Sequence, residues 1–450
     1  MYPKHPAALG RKRRRRCAVP EAADAALSWA SVPEDLVALI GRRVLAAGEL
    51  LDYVRFRAAC RHWLSSTECP RGRGIADPRF HPRRWMMLPE GHGLYPGHGR
   101  LRGYVRFVNL SSGAFVRARL PLFRDHCVLD SVDGILVLQR DHDTAIRLLH
   151  PFTGDIADLP PLSTLLPSVP RSLPGAYQET GKWMYLRDDL VTSIISVSAD
   201  GVIIVMMWLR YLLRVAFAAS GDHQWSVSPW IFKSCYNPLS FRGRIYLMHP
   251  SSFQGEVNVF QLEPPHHQQM DSMTLSLSPP KLIATFRPDA FFCYLVECDS
   301  EILVAASSRG QRSQFSAYRL ADLIMERLVP LTSIGGNALF LNCRRTLSVN
   351  SKALPTIVED TIVFFGDKPY LMQYHLNTAT CSQADVSPAN YRVPGPSTII
   401  YHIITCCYRD QWNKGHIIGQ GERKSSWRVK GKFRLGVSIL AAIPYSSSLI

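Results

Sequence analysis

The sequence predicts an α plus all-β protein of several domains, with a short N-terminal helical module followed by a β-propeller-like all-β domain. Between residues 28 and 69, apolar residues recur at the three- and four-residue spacings of helices. From residue 101 onward, short apolar runs alternate with turn residues, as strands do. An internal frame also repeats, because Gly154 follows Gly134 by twenty residues and Gly221 follows Gly201 by the same number. Such recurrence is typical of propellers and not of a β-sandwich.

Size and composition set the outer limits of this interpretation. A chain of 450 residues with 46% hydrophobic and 20% charged residues is typical of a globular protein with about two domains. The net charge is +16, and seven of the positive charges precede the first acid, Glu21, which leaves +9 for the rest. That balance favours acidic partners in general without indicating nucleic acid. The eleven cysteines lie largely in apolar patterns, which predicts free thiols in an intracellular protein.

Neither a membrane span nor an export signal is expected. The longest apolar run, residues 202–209, is ended by Arg210 and is much shorter than a spanning helix requires. The N-terminal basic cluster is followed by Glu21 and Asp24 instead of the apolar core of a signal peptide. We therefore expect a protein of the nucleus, the cytoplasm or both.

Residues 1–27 are predicted to form a disordered basic tail, because like charges repel one another and little apolar surface is available to bury. The basic cluster could be a nuclear import signal or only a solvated tail. Its residues are Arg11, Lys12, Arg13, Arg14, Arg15 and Arg16.

Residues 28–69 carry the helical pattern. Ser31, Pro33 and the following two acids suit the start of a first helix, in which Leu36, Ile40 and Val44 form an apolar stripe. A second helix is expected to begin near Glu49 and to continue through Trp63. It carries two apolar rows, which consist of Tyr53, Phe56, Cys60 and Trp63 on one side and Leu50, Val54 and Ala58 on the other. About 40 residues cannot bury this much apolar surface alone, so we expect contact with the rest of the chain or with another protein.

The order of these residues resembles an F-box, the helical module by which substrate receptors dock on the Skp adaptor of SCF ubiquitin ligases. The resemblance lies in Pro33-Glu34-Asp35-Leu36, the apolar helix, Leu50-Leu51 and residues 54–63. Val32 and Ala59 depart from the family pattern, each by a smaller apolar residue. The resemblance implies a Skp-type adaptor, and through it cullin, as partners. The adaptor-binding residues that it implies are Pro33, Leu36, Ile40, Val44, Leu50, Leu51, Val54, Phe56, Cys60 and Trp63.

Residues 70–100 are rich in proline and glycine and are predicted to be a linker. The all-β domain is expected over residues 101–380. Each repeat unit consists of a turn, a buried strand, a loop and a second strand, which is half or more of a propeller blade. The leading turns of these units lie at Gly134, Gly201, Gly243, Ser300 and Asp360. Their spacing leaves the number of blades open.

A second resemblance lies at residues 333–341, 344–349 and 357–363. These segments resemble the C-terminal signature of the plant family called domain of unknown function 295, the KIB-type β-propeller, which commonly follows an F-box. Together the two resemblances cover about residues 28–380. They imply a substrate receptor of an SCF ubiquitin ligase that holds a client protein for ubiquitination. No catalytic residue, metal site or cofactor is implied.

Residues 381–450 are predicted to contain one strand, at 398–405, and a loose tail.

Two other classes of function remain as alternatives. A propeller enzyme could use Asp133, Asp200 and Asp360 as paired carboxylates, but each precedes a strand in a turn, where Asp is favoured for its local hydrogen bonds. A nuclear nucleic-acid binder or protein scaffold could use the basic tail and body, although no recognition helix or aromatic-basic RNA motif supports nucleic acid.

Overall fold

The computed structural model describes residues 29–47, 50–88, 104–140, 143–169, 190–198, 200–209, 212–232, 236–250, 255–267, 275–288, 290–308, 313–342, 345–366, 371–384 and 399–407. The predicted basic tail with its candidate import signal, and most of residues 381–450, lie outside these residues. Among the described residues, no helix has both the length and the apolar character needed to cross a membrane.

The N-terminal module has three helices: α1 (Glu34–Ala46), α2 (Leu50–Arg57) and α3 (Arg61–Ser65). The expected single second helix is thus divided in two. Cys60 separates α2 from α3, because its backbone is extended (φ −157°, ψ 168°) and its Sγ accepts the N–H of Trp63 at 3.4 Å. This cap starts a new helix in which Trp63 turns back onto Phe56, with ring centroids 4.4 Å apart.

Helix α1 buries a different row of residues from the predicted apolar stripe. Its buried residues are Val37, Gly41 and Leu45. The predicted stripe of Leu36, Ile40 and Val44 lies one position away and is exposed or half-buried. Gly41 explains why this row is buried. A Cβ at Gly41 would lie 3.2 Å from the Tyr53 ring and 3.1 Å from Thr67 Cγ2, so α1 and α2 pack closely only along the row that contains this glycine.

The described strands confirm the predicted propeller and form six blades. The first three blades follow one another along the chain, and in each one the strands pair antiparallel in sequence order. Blade 1 has β1 (Trp85–Met87), β2 (Tyr104–Asn109) and β3 (Phe115–Arg119); blade 2 has β4 (His126–Val132), β5 (Ile135–Arg140), β6 (Ile146–Leu149) and β7 (Ile156–Leu159); blade 3 has β8 (Leu190–Val197), β9 (Ile203–Leu209), β10 (Arg214–Ala219) and β11 (Ser226–Val227).

Blades 4 to 6 depart from this simple order. A small hairpin, β15 with β16, interrupts blade 4, and α4 follows the last strand of blade 5. Blade 6 has the order β22-β21-β23-β24-β25, in which β21 and β23 are parallel. The bounds are β12 (Tyr236–Phe241), β13 (Arg244–Pro250), β14 (Val257–Leu262), β15 (His266–His267), β16 (Leu275–Ser276) and β17 (Lys281–Phe286) for blade 4; β18 (Ala290–Cys298), β19 (Glu301–Ser308), β20 (Phe315–Arg319) and α4 (Leu320–Ile324) for blade 5; β21 (Asn337–Phe340), β22 (Leu347–Asn350), β23 (Thr361–Phe365), β24 (Leu371–His375) and β25 (Thr380–Gln383) for blade 6.

Apolar clusters between neighbouring blades close the ring. Five clusters join each blade to the next along the chain. A sixth joins blade 6 to blade 1 and places Met86 and Val108 with Phe340 and Val363. Since burial of apolar area is the main favourable term in folding, each blade is stabilised from both sides.

The predicted leading turns lie where the repeat requires them. In blades 2 to 5 they connect the first strand to the second, and in blade 6 Asp360 precedes β23. Several have positive φ at two successive residues, as in Asp133 (48°) and Gly134 (82°), which is the geometry of a tight hairpin turn. The recurring Asp-Gly pattern is therefore a repeat of turn geometry.

Two segments differ from their predicted structure. The predicted linker over residues 70–100 contains β1, because Trp85–Met87 pairs with β2 as a strand of blade 1. The predicted strand at 398–405 is a helix, α5 (Ile399–Cys406). Its residues Ile400, Ile403, Ile404 and Cys406 are buried at helical spacing in the cluster between blades 6 and 1, and this burial outweighs the strand propensity of isoleucine.

Candidate functional site

The outer surface of the N-terminal helices carries several large apolar side chains. Large apolar side chains come from the chain before α1 and from every helix of the module. They are Trp29 (70% exposed), Leu36 (47%), Leu39 (45%), Val54 (44%) and Leu64 (48%). Exposed apolar residues gathered on one small module are typical of a surface that binds a partner.

The structure places the predicted adaptor-binding residues in three settings. Pro33, Leu36 and Val54 are exposed. Leu50 is buried at 4% exposure and belongs to the core of the module, so it is not part of the outer surface. The half-buried residues are Ile40, Val44, Leu51, Phe56, Cys60 and Trp63.

Three residues of the outer surface were missed by the sequence interpretation. Leu39 lies three residues after Leu36 and therefore on the same face of α1, a signal that was available. Leu64 and Trp29 had no such signal, because their exposure depends on the break at Cys60 and on the contacts of Trp63.

Trp63 connects the start of the module to its end. Its Nε1 donates to the carbonyl oxygen of Trp29 at 3.0 Å, and the two indole rings meet edge to face at 6.3 Å. The neighbouring His62 Nε2 lies 2.7 Å from the carbonyl oxygen of Val32. These contacts hold residues 29–32 against α3, so Trp63 packs within the module and not against the linker.

The helices rest on the propeller through a small apolar cluster. Phe80, from the segment after the helices, is fully buried with Leu45, Leu50 and Tyr53, and Phe152 of blade 2 packs against this group. Leu51 of α2 packs against the cluster between blades 1 and 2. The module is therefore attached to blades 1 and 2 by side-chain packing as well as by the chain.

A carboxylate fixes the segment between the module and the propeller. Asp155, in the turn between β6 and β7, accepts the N–H groups of Gly72 at 2.9 Å and Gly74 at 2.7 Å. A Cβ at Gly74 would lie 2.6 Å from Thr153 Oγ1 and 2.7 Å from Asp155 Oδ2, so this close approach requires glycine.

His150 completes the same junction. Its Nδ1 accepts the N–H groups of Phe152 at 3.2 Å and Thr153 at 3.0 Å, so Nε2 carries the proton and donates to the carbonyl oxygen of Phe80 at 3.0 Å. The side chain is fully buried, and this burial lowers the pKa of His150 below its usual range. Burial lowers the pKa of His81 in the same way. Both imidazoles are therefore neutral at pH 7.

Asp133, Asp200 and Asp360, the carboxylates of the propeller-enzyme alternative, have different surroundings in the structure. Asp360 Oδ1 accepts the N–H groups of Ile334 at 2.7 Å and Gly336 at 3.2 Å and the hydroxyl of Ser333 at 3.1 Å. Asp133 forms a long ion pair with Arg83 at 4.0 Å, and Asp200 is an exposed turn residue. Asp360 thus joins the turn before β23 to the segment before β21 instead of forming the local hydrogen bonds that the sequence pattern predicts.

Inside the ring, polar groups of the innermost strands meet at Asp130. Its carboxylate accepts the N–H groups of Ser131 and Ser193, each at 2.8 Å, and lies 4.0 Å from Arg345 Nη1. Burial is the main cause that raises the pKa of Glu297, another residue of an innermost strand, and the charge of Asp133 adds to the shift. In the part of the chain that is described, no three His, Cys, Asp or Glu residues are arranged to hold a metal ion.

The six closed blades define a β-propeller protein. The chain matches the family described as the KIB1-4 beta-propeller over residues 107–391, which is more than half of its length, and it belongs to that family.

Solved structures that resemble this fold are distant. The Myceliophteria thermophila Cps50 (Swd1) β-propeller domain is 12% identical, with 63% of this chain and 76% of that chain covered and a TM-score of 0.27. A chain of the nidogen/laminin complex is 10% identical, with 67% and 91% covered and a TM-score of 0.26. Virginiamycin B lyase from Staphylococcus aureus is 9% identical, with 68% and 75% covered and a TM-score of 0.23. These similarities carry no argument about function. Among curated proteins, none matches the chain.

Proposed function

We propose that this chain is the substrate-receptor subunit of an SCF ubiquitin ligase. In this proposal the N-terminal helices are an F-box that binds a Skp-type adaptor, and through it cullin, while the propeller holds a client protein. A β-propeller suggests a role in protein–protein interaction. The observation that carries the finer proposal is the exposed apolar surface of the helices, which includes Leu36 and Val54 at positions of the F-box pattern.

The proposed role is non-catalytic. Ubiquitin transfer would take place on another subunit, and this chain would raise the local concentration of its client there. The packing of Phe80 and Phe152 between helices and propeller supports the proposal, because a fixed attachment keeps the client at a constant distance and orientation from the adaptor. We place the protein in the nucleus, the cytoplasm or both, with Arg11 to Arg16 as its import signal.

The test is adaptor binding by a Leu36→Asp variant. Burial of an unpaired carboxylate at an apolar interface costs several kcal/mol, so binding to a purified Skp adaptor should weaken by about a hundredfold or more. The matched control is Leu282→Asp, because Leu282 is 50% exposed on β17 of blade 4, outside the helical module. The control should bind the adaptor as the unaltered protein does.

Calorimetry or surface plasmon resonance would measure binding, and thermal melting of the same samples would check folding. Near-unchanged adaptor affinity of Leu36→Asp, with an intact melt, contradicts the F-box assignment. If adaptor binding and the thermal transition of the propeller are both lost, Leu36 stabilises the fold. A Val54→Asp variant then repeats the binding test from α2, where the side chain is 44% exposed.

A further inference from the structure

Blade 1 ends in an open strand. Its sheet has three strands, as has that of blade 5, whereas blades 2, 3 and 4 each have four. Strand β3 pairs with β2 on one side, and no strand of the described residues pairs with its other side. An open edge presents unpaired N–H and C=O groups to solvent and can accept another strand.

Backbone hydrogen bonds on the other side of β2 determine which residues of β3 face that edge. The N–H of Leu88 donates to the carbonyl oxygen of Arg106 at 2.9 Å, so the backbone of Arg106 faces β1 and not β3. Arg117 stands opposite Arg106 in the β2–β3 register, so its own N–H and C=O point away from β2. By alternation, Phe115 and Arg119 do the same, which gives the edge three outward-facing residues.

The side chains beside this edge are basic and aromatic. Residues directly opposite one another share a face of a sheet, so Arg119 lies with Tyr104 and Arg117 with Arg106. Phe115 is 51% exposed and Tyr104 42%, and both Arg117 and Arg119 are exposed. The other face of β3 is apolar, because Ala118 is buried and Val116 packs against the cluster between blades 1 and 2.

The arginines of this edge differ from Arg147 of blade 2 and Arg319 of blade 5. Two arginines of other blades have acidic partners on the neighbouring strand: Arg147 of β6 pairs with Asp158 of β7 at 2.7 Å, and Arg319 of β20 with Glu301 of β19 at 3.1 Å. Within the described residues, neither Arg117 nor Arg119 has an ion pair. The edge thus combines unused backbone hydrogen-bonding groups with uncompensated positive charge.

We propose that the outer edge of β3 binds an extended acidic segment of a partner protein as an added strand. The alternating N–H and C=O groups match a peptide backbone, and the arginine face selects acidic side chains at every second position. A nucleic acid would satisfy the arginines but not the backbone groups. The basic C-terminal segment of this chain is disfavoured by charge, since residues 412–434 contain seven Lys and Arg and one acid.

This proposal concerns binding by the propeller and does not depend on adaptor docking. If the SCF proposal fails because Leu36→Asp leaves adaptor binding unchanged, the edge can still bind the peptide. If the peptide does not bind, the adaptor result is unaffected.

The probe is a fluorescent peptide that alternates glutamate with valine, used with the full-length protein in an anisotropy titration. Glutamates would face Arg117 and Arg119, and valines would face Val116 and Ala118. Two control peptides are used. The first has the same length and alternation but has lysine in place of glutamate, and the second has the same composition but groups its glutamates and valines in two blocks. Only the alternating acidic peptide should bind, and its affinity should fall as salt rises. Equal binding of the blocked peptide, or of single-stranded DNA in its place, overturns strand addition.

Protein variants test charge and backbone separately. Arg117→Glu with Arg119→Glu should weaken peptide binding about tenfold or more, because two attractions become repulsions. Arg42→Glu with Arg43→Glu, an exposed pair on α1, changes the net charge equally and should leave peptide binding unchanged.

The backbone is tested by comparing Arg117→Pro with Arg117→Ala. Both remove the guanidinium, but only proline removes the outward N–H, and that N–H takes no part in the β2–β3 ladder. Proline should weaken binding further than alanine while both variants melt alike. Equal affinity of the two variants, or a wild-type protein that does not bind the alternating peptide, overturns the proposal.

Discussion

The N–H of Gly74 donates to the carboxylate of Asp155 at 2.7 Å, which joins the segment after the helices to the turn between β6 and β7. The same carboxylate accepts the N–H of Gly72, and the Phe80 carbonyl oxygen accepts the proton of His150 close by. The junction between module and propeller therefore depends on backbone groups of the chain between them, and its geometry leaves no space for a side chain at residue 74.

Gly74→Ala should destabilise the protein by about 1–3 kcal/mol, because the added methyl group overlaps Thr153 Oγ1 and Asp155 Oδ2. Denaturant unfolding would measure the change, and proteolysis within residues 70–80 should become faster. In a double-mutant cycle, Thr153→Ala removes one overlapping atom and should recover part of the loss. Additive effects of the two substitutions would contradict the overlap as the cause.

Acidification should weaken this junction. His150 is neutral when folded and its pKa is lowered by burial, whereas the unfolded side chain titrates near its ordinary value of about 6.5. Below that value the unfolded state binds more protons, so the free energy of unfolding should fall as pH falls from about 7 to about 5. The slope contributed by one such histidine is at most about 1.4 kcal/mol per pH unit.

Denaturant unfolding at several pH values would measure this slope, and His150→Asn should reduce it even though the variant is less stable at pH 7. His81 contributes in the same direction, because its pKa is also lowered. A slope that is the same with and without His150 would contradict the assignment.

Ile404→Ala should destabilise the ring at the contact between its last and first blades. Ile404 is fully buried in the cluster that joins blade 6, blade 1 and α5, so its truncation should cost about 2–5 kcal/mol. Ile156→Ala is the matched control, because Ile156 is 48% exposed on β7 and should change stability little. Thermal melting would measure both variants, and equal melting temperatures would show that α5 does not stabilise the ring.

The sequence predicts the propeller well because its turns repeat. The turns at Asp133-Gly134 and Arg242-Gly243 have positive φ at two successive residues. Glycine suits the second of these positions, so it marks the same turn in each repeat of the sequence. The number of blades was not predictable, because blade 1 has a strand inside a segment rich in breakers and blade 6 inserts the β21–β22 hairpin ahead of its parallel partner, β23.

The helical surface was only partly predictable. Leu36 and Val37 both belong to apolar rows of α1, and the sequence does not say which row meets α2. Gly41 was the decisive residue, because its missing side chain permits the approach of Tyr53 and Phe56 along one row alone. The helix at Ile399–Cys406 was mistaken for a strand because its isoleucines favour strands locally, while its burial depends on blades formed by distant parts of the chain.

The apolar contact between blades 1 and 6 has a consequence for synthesis on the ribosome. The residues that blade 1 contributes to this contact, among them Met86 and Val108, leave the ribosome long before Phe340 and Ile404 are translated. At ordinary elongation rates of about 5–20 residues per second, that interval is on the order of 15–60 s. Throughout it the nascent chain presents an unpaired apolar blade face, so newly made protein should depend on chaperones until residue 407 has emerged.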